Sequence, residues 1–211
     1  MANTMNELRP AMKLTVGAQY ICFNKMDAKG NWTSTFEDEV IKLPTVSEVD
    51  VSDEADSHTT YASGEQYDSD TQVSAVTMKT TNVAFDDLTL DKMKGSDIDG
   101  GAVLSGGIAQ RPYFAYGFVV KKKDGTKDLR WYPKCKLTDN ADKTSTSADK
   151  WSDQTDDITI SATGFDDKAH KCVKCLTSDE STKNITEDKF FAKPLLTAAE
   201  VKALETASTG A

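Results

Sequence analysis

Histidine, basic residues and long apolar runs are all scarce in this chain, and each shortage excludes something. Only two histidines, His58 and His170, occur among 211 residues. Neither a nucleophile elbow nor a phosphate-cradling glycine loop accompanies them, so the sequence offers no enzyme chemistry and no cofactor site. No apolar stretch approaches the roughly 20 residues that a membrane-spanning helix needs. The start, Met1-Ala2-Asn3-Thr4-Met5-Asn6-Glu7, lacks the basic-then-apolar layout of an export signal. The expectation is a protein made and kept in a cytoplasm, with no membrane partner. In that setting Cys22, Cys135, Cys172 and Cys175 are expected as reduced thiols rather than a disulfide framework. Lysines and arginines number 25 against 34 acids, a formal charge of −9, which disfavours long-range attraction to nucleic acid or anionic lipid. Hydrophobic residues make up 38%, below the roughly 45–50% of an average chain, and that shortfall points to much polar loop and to β architecture.

Two metal patterns are incomplete. His170, Cys172 and Cys175 resemble half of a zinc site, with Cys135 as a conceivable fourth ligand, but a second pair is missing. In an extended strand the three-residue spacing also sends Cys172 and Cys175 to opposite faces. The runs Ser52 to His58 and Gly95 to Gly100 carry acids, yet neither has the alternating ligands closed by a Glu that a calcium loop requires, so solvated loops are expected there.

What the chain does have is β patterning. Tyr113-Phe114-Ala115-Tyr116-Gly117-Phe118-Val119-Val120 and Leu129 to Leu137 flank Asp124-Gly125, a dipeptide suited to the positive φ angles of a tight hairpin turn. Period-two alternation places Leu129, Trp131, Cys135 and Leu137 on one face and Arg130, Lys134 and Lys136 on the other. The same reading puts Ile158, Ile160 and Ala162 on one face of a third strand and predicts strands over 14–23, 32–43 and 73–85, with a short one near 170–176. Asp86 to Gly95 has acids at its start, Lys at its end and a terminal Gly, which are helix signals. Gly100-Gly101 and Gly106-Gly107 read as punctuation of a flexible crossing. Thr138 to Asp156 reads as a solvated loop with Trp151 as its only large apolar residue. Thr197-Ala198-Ala199-Glu200 has the spacing of a capping box and predicts a short terminal helix.

Pro44 to Asp70 differs from its surroundings. Its acids Glu48, Asp50, Asp53, Glu54, Asp56, Glu65, Asp68 and Asp70 predict strand ends joined by a long solvated loop, an arm that orders against a partner.

In this order the segments resemble a phage major tail protein of the long, non-contractile class, in the group of staphylococcal and lactococcal siphophage tube subunits. The likeness runs through the strand after Tyr61-Ala62-Ser63-Gly64, the 73–85 strand, the helix near Thr89 to Gly95, and Tyr113 to Phe118. It continues through Asp124-Gly125, Trp131 to Leu137 and Thr159 to Phe165, and covers most of 14–165. The resemblance implies a mainly β fold, a tail-tube-like β-sandwich or barrel with one short flanking helix, in which 1–165 is the tube domain with the long loop 44–70. Residues 166–211 would form a C-terminal extension packed on or projecting from it. It further implies stacked, hexameric rings around a tape-measure protein, contacts with tail terminator and tail-tip proteins, passage of DNA without specific binding, and residence in the virion after assembly in the host cytoplasm. Candidate self-assembly residues are Asp53, Glu54, Asp56, His58, Tyr61, Leu90, Met93 and Trp151. The competing class is a β-sandwich carbohydrate-binding or adhesion module, in which exposed Trp and Tyr stack on sugar.

Overall fold

The computed structural model describes residues 9–107, 110–141 and 154–206, so Trp151 lies outside the described residues. Its strands are β1 (Lys13–Phe23), β2 (Ile41–Leu43), β3 (Val46–Ala62), β4 (Glu65–Asn82), β5 (Asp97–Asp99), β6 (Ala102–Leu104), β7 (Phe114–Lys122), β8 (Lys127–Ala141), β9 (Asp156–Ala162) and β10 (Val173–Leu176). Three short helices accompany them, α1 (Asp87–Lys94), α2 (Glu187–Phe190) and α3 (Ala198–Thr206). The protein is mainly β, with one eight-stranded antiparallel sheet in the order β2-β1-β7-β8-β9-β4-β3 and β10 paired to β8. Among the described residues no helix is long and apolar enough to cross a membrane.

Two apolar layers hold this sheet. On the inner face Ile21, Phe23, Met78, Met93, Phe114, Tyr116, Phe118, Leu137, Ile158 and Ile160 form one core, and Val49 and Val51 of β3 pack on it together with Val16 of β1. Strands from the two flanks of the sheet therefore meet around one core, and the sheet rolls toward a barrel. On the outer face Tyr20, Cys22, Leu129, Trp131 and Cys175 join Ile185, Phe190, Phe191, Leu195 and Val201. The C-terminal extension thus packs on the sheet. Trp131 anchors it, donating from Nε1 to the Phe190 carbonyl at 3.1 Å, while Phe191 stacks on Tyr20 with ring centroids 3.9 Å apart. Gly117 makes room for this packing, because a Cβ there would sit 2.7 Å from Phe191 and 2.9 Å from Trp131.

Local signals were realised locally. Asp86 accepts from the Thr89 amide at 2.8 Å and Gly95 closes α1 with φ 76°. Thr197 and Glu200 exchange bonds as a capping box, Glu200 N to Thr197 Oγ1 at 3.2 Å and Thr197 N to Glu200 Oε2 at 2.9 Å. At the β7–β8 turn only Gly125 takes positive φ (84°), and Lys122 N donates to Thr126 O at 2.9 Å, so the loop is longer than a two-residue turn.

Four expectations are corrected. Leu129 and Trp131 face the outer core but Cys135 and Leu137 face the inner one. A bulge explains the flip: Tyr116 pairs with Tyr132 and Phe114 with Cys135, three residues of β8 against two of β7. It falls at Pro133, whose missing amide suits a break in the ladder. Within 32–43 only Ile41–Leu43 is a strand, and much of the rest hangs on the Asn24 amide, which donates to the Thr33 and Thr35 carbonyls. The crossing at Gly100-Gly101 is the turn of a small β5–β6 hairpin. Residues 44–70, expected as a long solvated loop, are largely paired strand.

Candidate self-assembly interface

Residues 44–70 are not a loop. β3 and β4 pair from Val46↔Asn82 to Ala62↔Glu65, and a two-residue turn joins them. Ser63 (φ 54°) and Gly64 (φ 82°) both take the left-handed conformation, as a primed turn demands. Ser52 to His58, read as a solvated loop, is therefore strand, and so is Asp97–Asp99.

β9 supports this hairpin only as far as Ala162, which pairs with Val76. Beyond that point β3 and β4 pair with no further strand among the described residues, and 65–75 alone extends roughly 35 Å at a strand's rise per residue. The arm leaves the body at a bulge: Glu54 pairs with Ala75 but Ala55 with Val73, and the unpaired Ser74 donates from Oγ to the Glu54 carbonyl at 3.1 Å. Lys171 Nζ ties the base of the arm to the C-terminal extension through the Val73 carbonyl, at 2.6 Å. A second bulge near the tip leaves Tyr67 without a cross-strand partner, between Thr60↔Asp68 and Tyr61↔Gln66.

Asp53, Glu54, Asp56, His58 and Tyr61 all lie on this arm and are exposed. The two sequence candidates on α1 behave differently. Met93 is 0% exposed and belongs to the core of its own subunit, and Leu90 is half-buried against the same core. The short apolar stripe on α1 is spent on docking the helix, so Met93 is not available to a second copy. Sequence reasoning missed Tyr67, 79% exposed beside the 69% exposed Tyr61. The available signal was the Ser63-Gly64 dipeptide, a turn former that folds 65–75 back along 52–62.

No protein-family model matches this chain, and no curated protein sequence matches it either. The functional reading rests on its residues.

Energetics make the arm notable. From Ser52 to Ser74 almost every described side chain is exposed, so the arm buries little to offset an ordering cost of about 1–2 kcal/mol per residue. A two-stranded hairpin alone is marginal in water, and open strands on both sides invite a further partner.

Beside the root of the arm the rolled sheet has an open mouth, a groove of about 580 Å³ between Lys13–Val16 of β1 and Ser47–Asp53 of β3, floored by Phe118, Val120, Arg130 and Tyr132. Next to it Asp128 is buried and faces three cations: Lys122 Nζ at 2.8 Å, Lys174 Nζ at 3.4 Å and Arg130 at 3.7 Å. Burial alone would raise the Asp128 carboxyl, but the Lys122 hydrogen bond and the Lys174 and Lys122 charges outweigh it and hold the group below the ordinary carboxylate range. A depressed folded pKa stabilises above the unfolded value of about 3.9, and that stability is lost as pH falls through the folded value. Asp128→Asn is expected to cost about 2–3 kcal/mol near neutrality, because three cations then lack their carboxylate. Urea unfolding of both proteins from pH 7 downward checks this, and a gap that fails to narrow below about pH 4 would refute the assignment.

The half zinc site does not assemble. Cys172 packs against the inner core and Cys175 in the outer one, and burial raises both thiols. His170 Nδ1 is occupied by Asp166 at 2.5 Å. Among the described residues no three His, Cys, Asp or Glu side chains converge as metal ligands, and all four cysteines are free. Trp131 is fully buried and presents no ring for stacking on sugar.

Proposed function

We propose that this protein is the major subunit of a long, non-contractile phage tail tube, a structural virion protein that self-assembles into stacked rings around a channel for DNA ejection. The single observation that carries the reading is the β3–β4 arm, a hairpin rooted in the sheet whose outer half has no partner among the described residues. A subunit whose task is to join copies of itself needs such projecting strand edges, and closed rings follow when each copy receives its neighbour's arm. The order of β segments that resembles siphophage tube subunits supports the same reading. On this reading the partners are other copies of the chain, a tape-measure protein and the tail terminator and tip proteins, and the destination is the virion after assembly in the host cytoplasm.

Electron microscopy of the purified protein across a concentration and salt series tests the proposal. Rings or regular tubes with a central channel are the expected result. A protein that stays monomeric throughout, and also when supplied with preformed tail tips, overturns it.

A further inference from the structure

The net charge is not spread over the molecule. Eight of the 34 acids and none of the 25 lysines and arginines lie between residues 43 and 78, so the rest of the chain holds 26 acids against 25 bases. Nearly all of the −9 therefore sits on the arm and its root. Acids two residues apart on a strand stand roughly 7 Å from each other, within the ~8 Å screening length of physiological salt. They repel, and a cationic surface relieves that repulsion.

The complementary surface is the end of the β7–β8 hairpin. Lys121, Lys122, Lys123 and Lys127 bracket its turn, and Lys13 lies opposite Lys122 across the β1–β7 ladder. Asp128 holds Lys122, Arg130 and Lys174 with one carboxylate and Glu187 holds Lys127 at 3.2 Å, while Asp124 in the turn offsets one further charge. Lys13, Lys121 and Lys123 are exposed and have no ion-pair partner among the described residues. The turn is held in place, with Lys123 N donating to the Met12 carbonyl at 3.0 Å and Lys122 N to Thr126 O at 2.9 Å. Beside the lysines Met12 and Leu14 are 65% and 61% exposed, while the arm carries exposed Tyr61 and Tyr67 near its tip. Two anchoring aromatics with an acidic strip match two apolar side chains with a basic rim.

We infer that the basic end formed by Lys13, Lys121 and Lys123 is the seat for the acidic arm of a second copy, with Tyr61 and Tyr67 against Met12 and Leu14. The two surfaces differ, so the contact is heterologous and repeats from copy to copy, closing a ring or extending a filament. The inference rests on the self-assembly reading and names the surface that reading leaves open.

The test mixes isotopically light and heavy protein, treats it with a zero-length carbodiimide at rising concentration, and maps carboxylate–amine cross-links by mass spectrometry. Mixed-isotope links from Asp56, Asp68 or Asp70 to Lys13, Lys121 or Lys123 are expected. Changing the three lysines to Glu is expected to weaken assembly at least about tenfold, and adding Asp56→Lys, Asp68→Lys and Asp70→Lys is expected to restore it. Circular dichroism and melting of the lysine variant confirm that it folds. Assembly with arm links to other lysines, or a lysine variant that assembles like the parent, overturns this seat and leaves self-assembly standing. If the lysine changes abolish only retention on a DNA fragment while the arm changes do nothing, a polyanion takes this end and the inference fails. No mixed links and no assembly at any concentration overturn both readings.

Discussion

Replacing residues 56–72 by an Asn-Gly turn between Ala55 and Val73 is expected to leave a folded monomer that forms neither rings nor tubes. The two flanking residues pair across the ladder, so the shortened hairpin closes without strain. The excised segment contributes nothing to either apolar core, whose arm-strand members lie at Val49, Val51, Val76 and Met78. The melting midpoint should therefore stay within about 3 °C of the parent, since a shift of several degrees would need about 1 kcal/mol in a domain of this size. Assembly should fall by at least about 100-fold, because the excision removes the exposed anchors Tyr61 and Tyr67 together with Asp56, Asp68 and Asp70. Sedimentation velocity and electron microscopy at matched concentrations read the outcome. Tubes formed by the shortened protein at the parent's concentration would refute the arm as the joining element.

Trp131→Ala is expected to have the largest effect on stability, about 3–5 kcal/mol by urea unfolding. The indole is fully buried, touches Phe191 at 5.2 Å between ring centroids and closes the Phe190 carbonyl with its N–H. Truncation leaves a cavity between sheet and extension and an unpaired carbonyl, two penalties that add. Limited proteolysis should then cut first within 166–206, because that segment is held to the sheet through this side chain and through the Tyr20–Glu187 bond of 2.7 Å. A variant within about 1 kcal/mol of the parent, with an unchanged cleavage pattern, would show that the extension is anchored elsewhere.

The readings that failed did so for separate physical reasons. The alternation along 129–137 was a sound period-two signal, but it assumed an unbroken ladder, and the extra residue of β8 between Tyr132 and Cys135 turned half of the strand over. β1 repeats the lesson: Val16 pairs with Val120 but Gln19 with Phe118, so Val16 joins the inner core while Ala18 and Tyr20 join the outer one. The arm escaped as a strand because a hairpin exposed on both faces has no apolar alternation to display. Its acids read as solvated loop, which is correct about the solvent and wrong about the backbone. Met93 was legible as an apolar helix position, yet nothing local says whether such a position meets its own sheet or a neighbour's.

By itself the sequence determined the features governed by a few neighbouring residues. These are the Asp86 and Gly95 ends of α1, the Thr197–Glu200 box of α3, the aromatic hairpin and the opposite facing of Cys172 and Cys175. Each follows from φ/ψ preferences, short-range hydrogen bonds or strand periodicity. Only the tertiary structure decided the bulges, the rolling of one sheet around its core, the burial of Trp131 under the extension, and the emergence of 55–73 as an arm. Those depend on which distant strands pair and where a pairing stops, and β9 ending at Ala162 is what frees the arm. Pairing of strands far apart in the chain is settled by the whole core at once, so no single segment carries its signal.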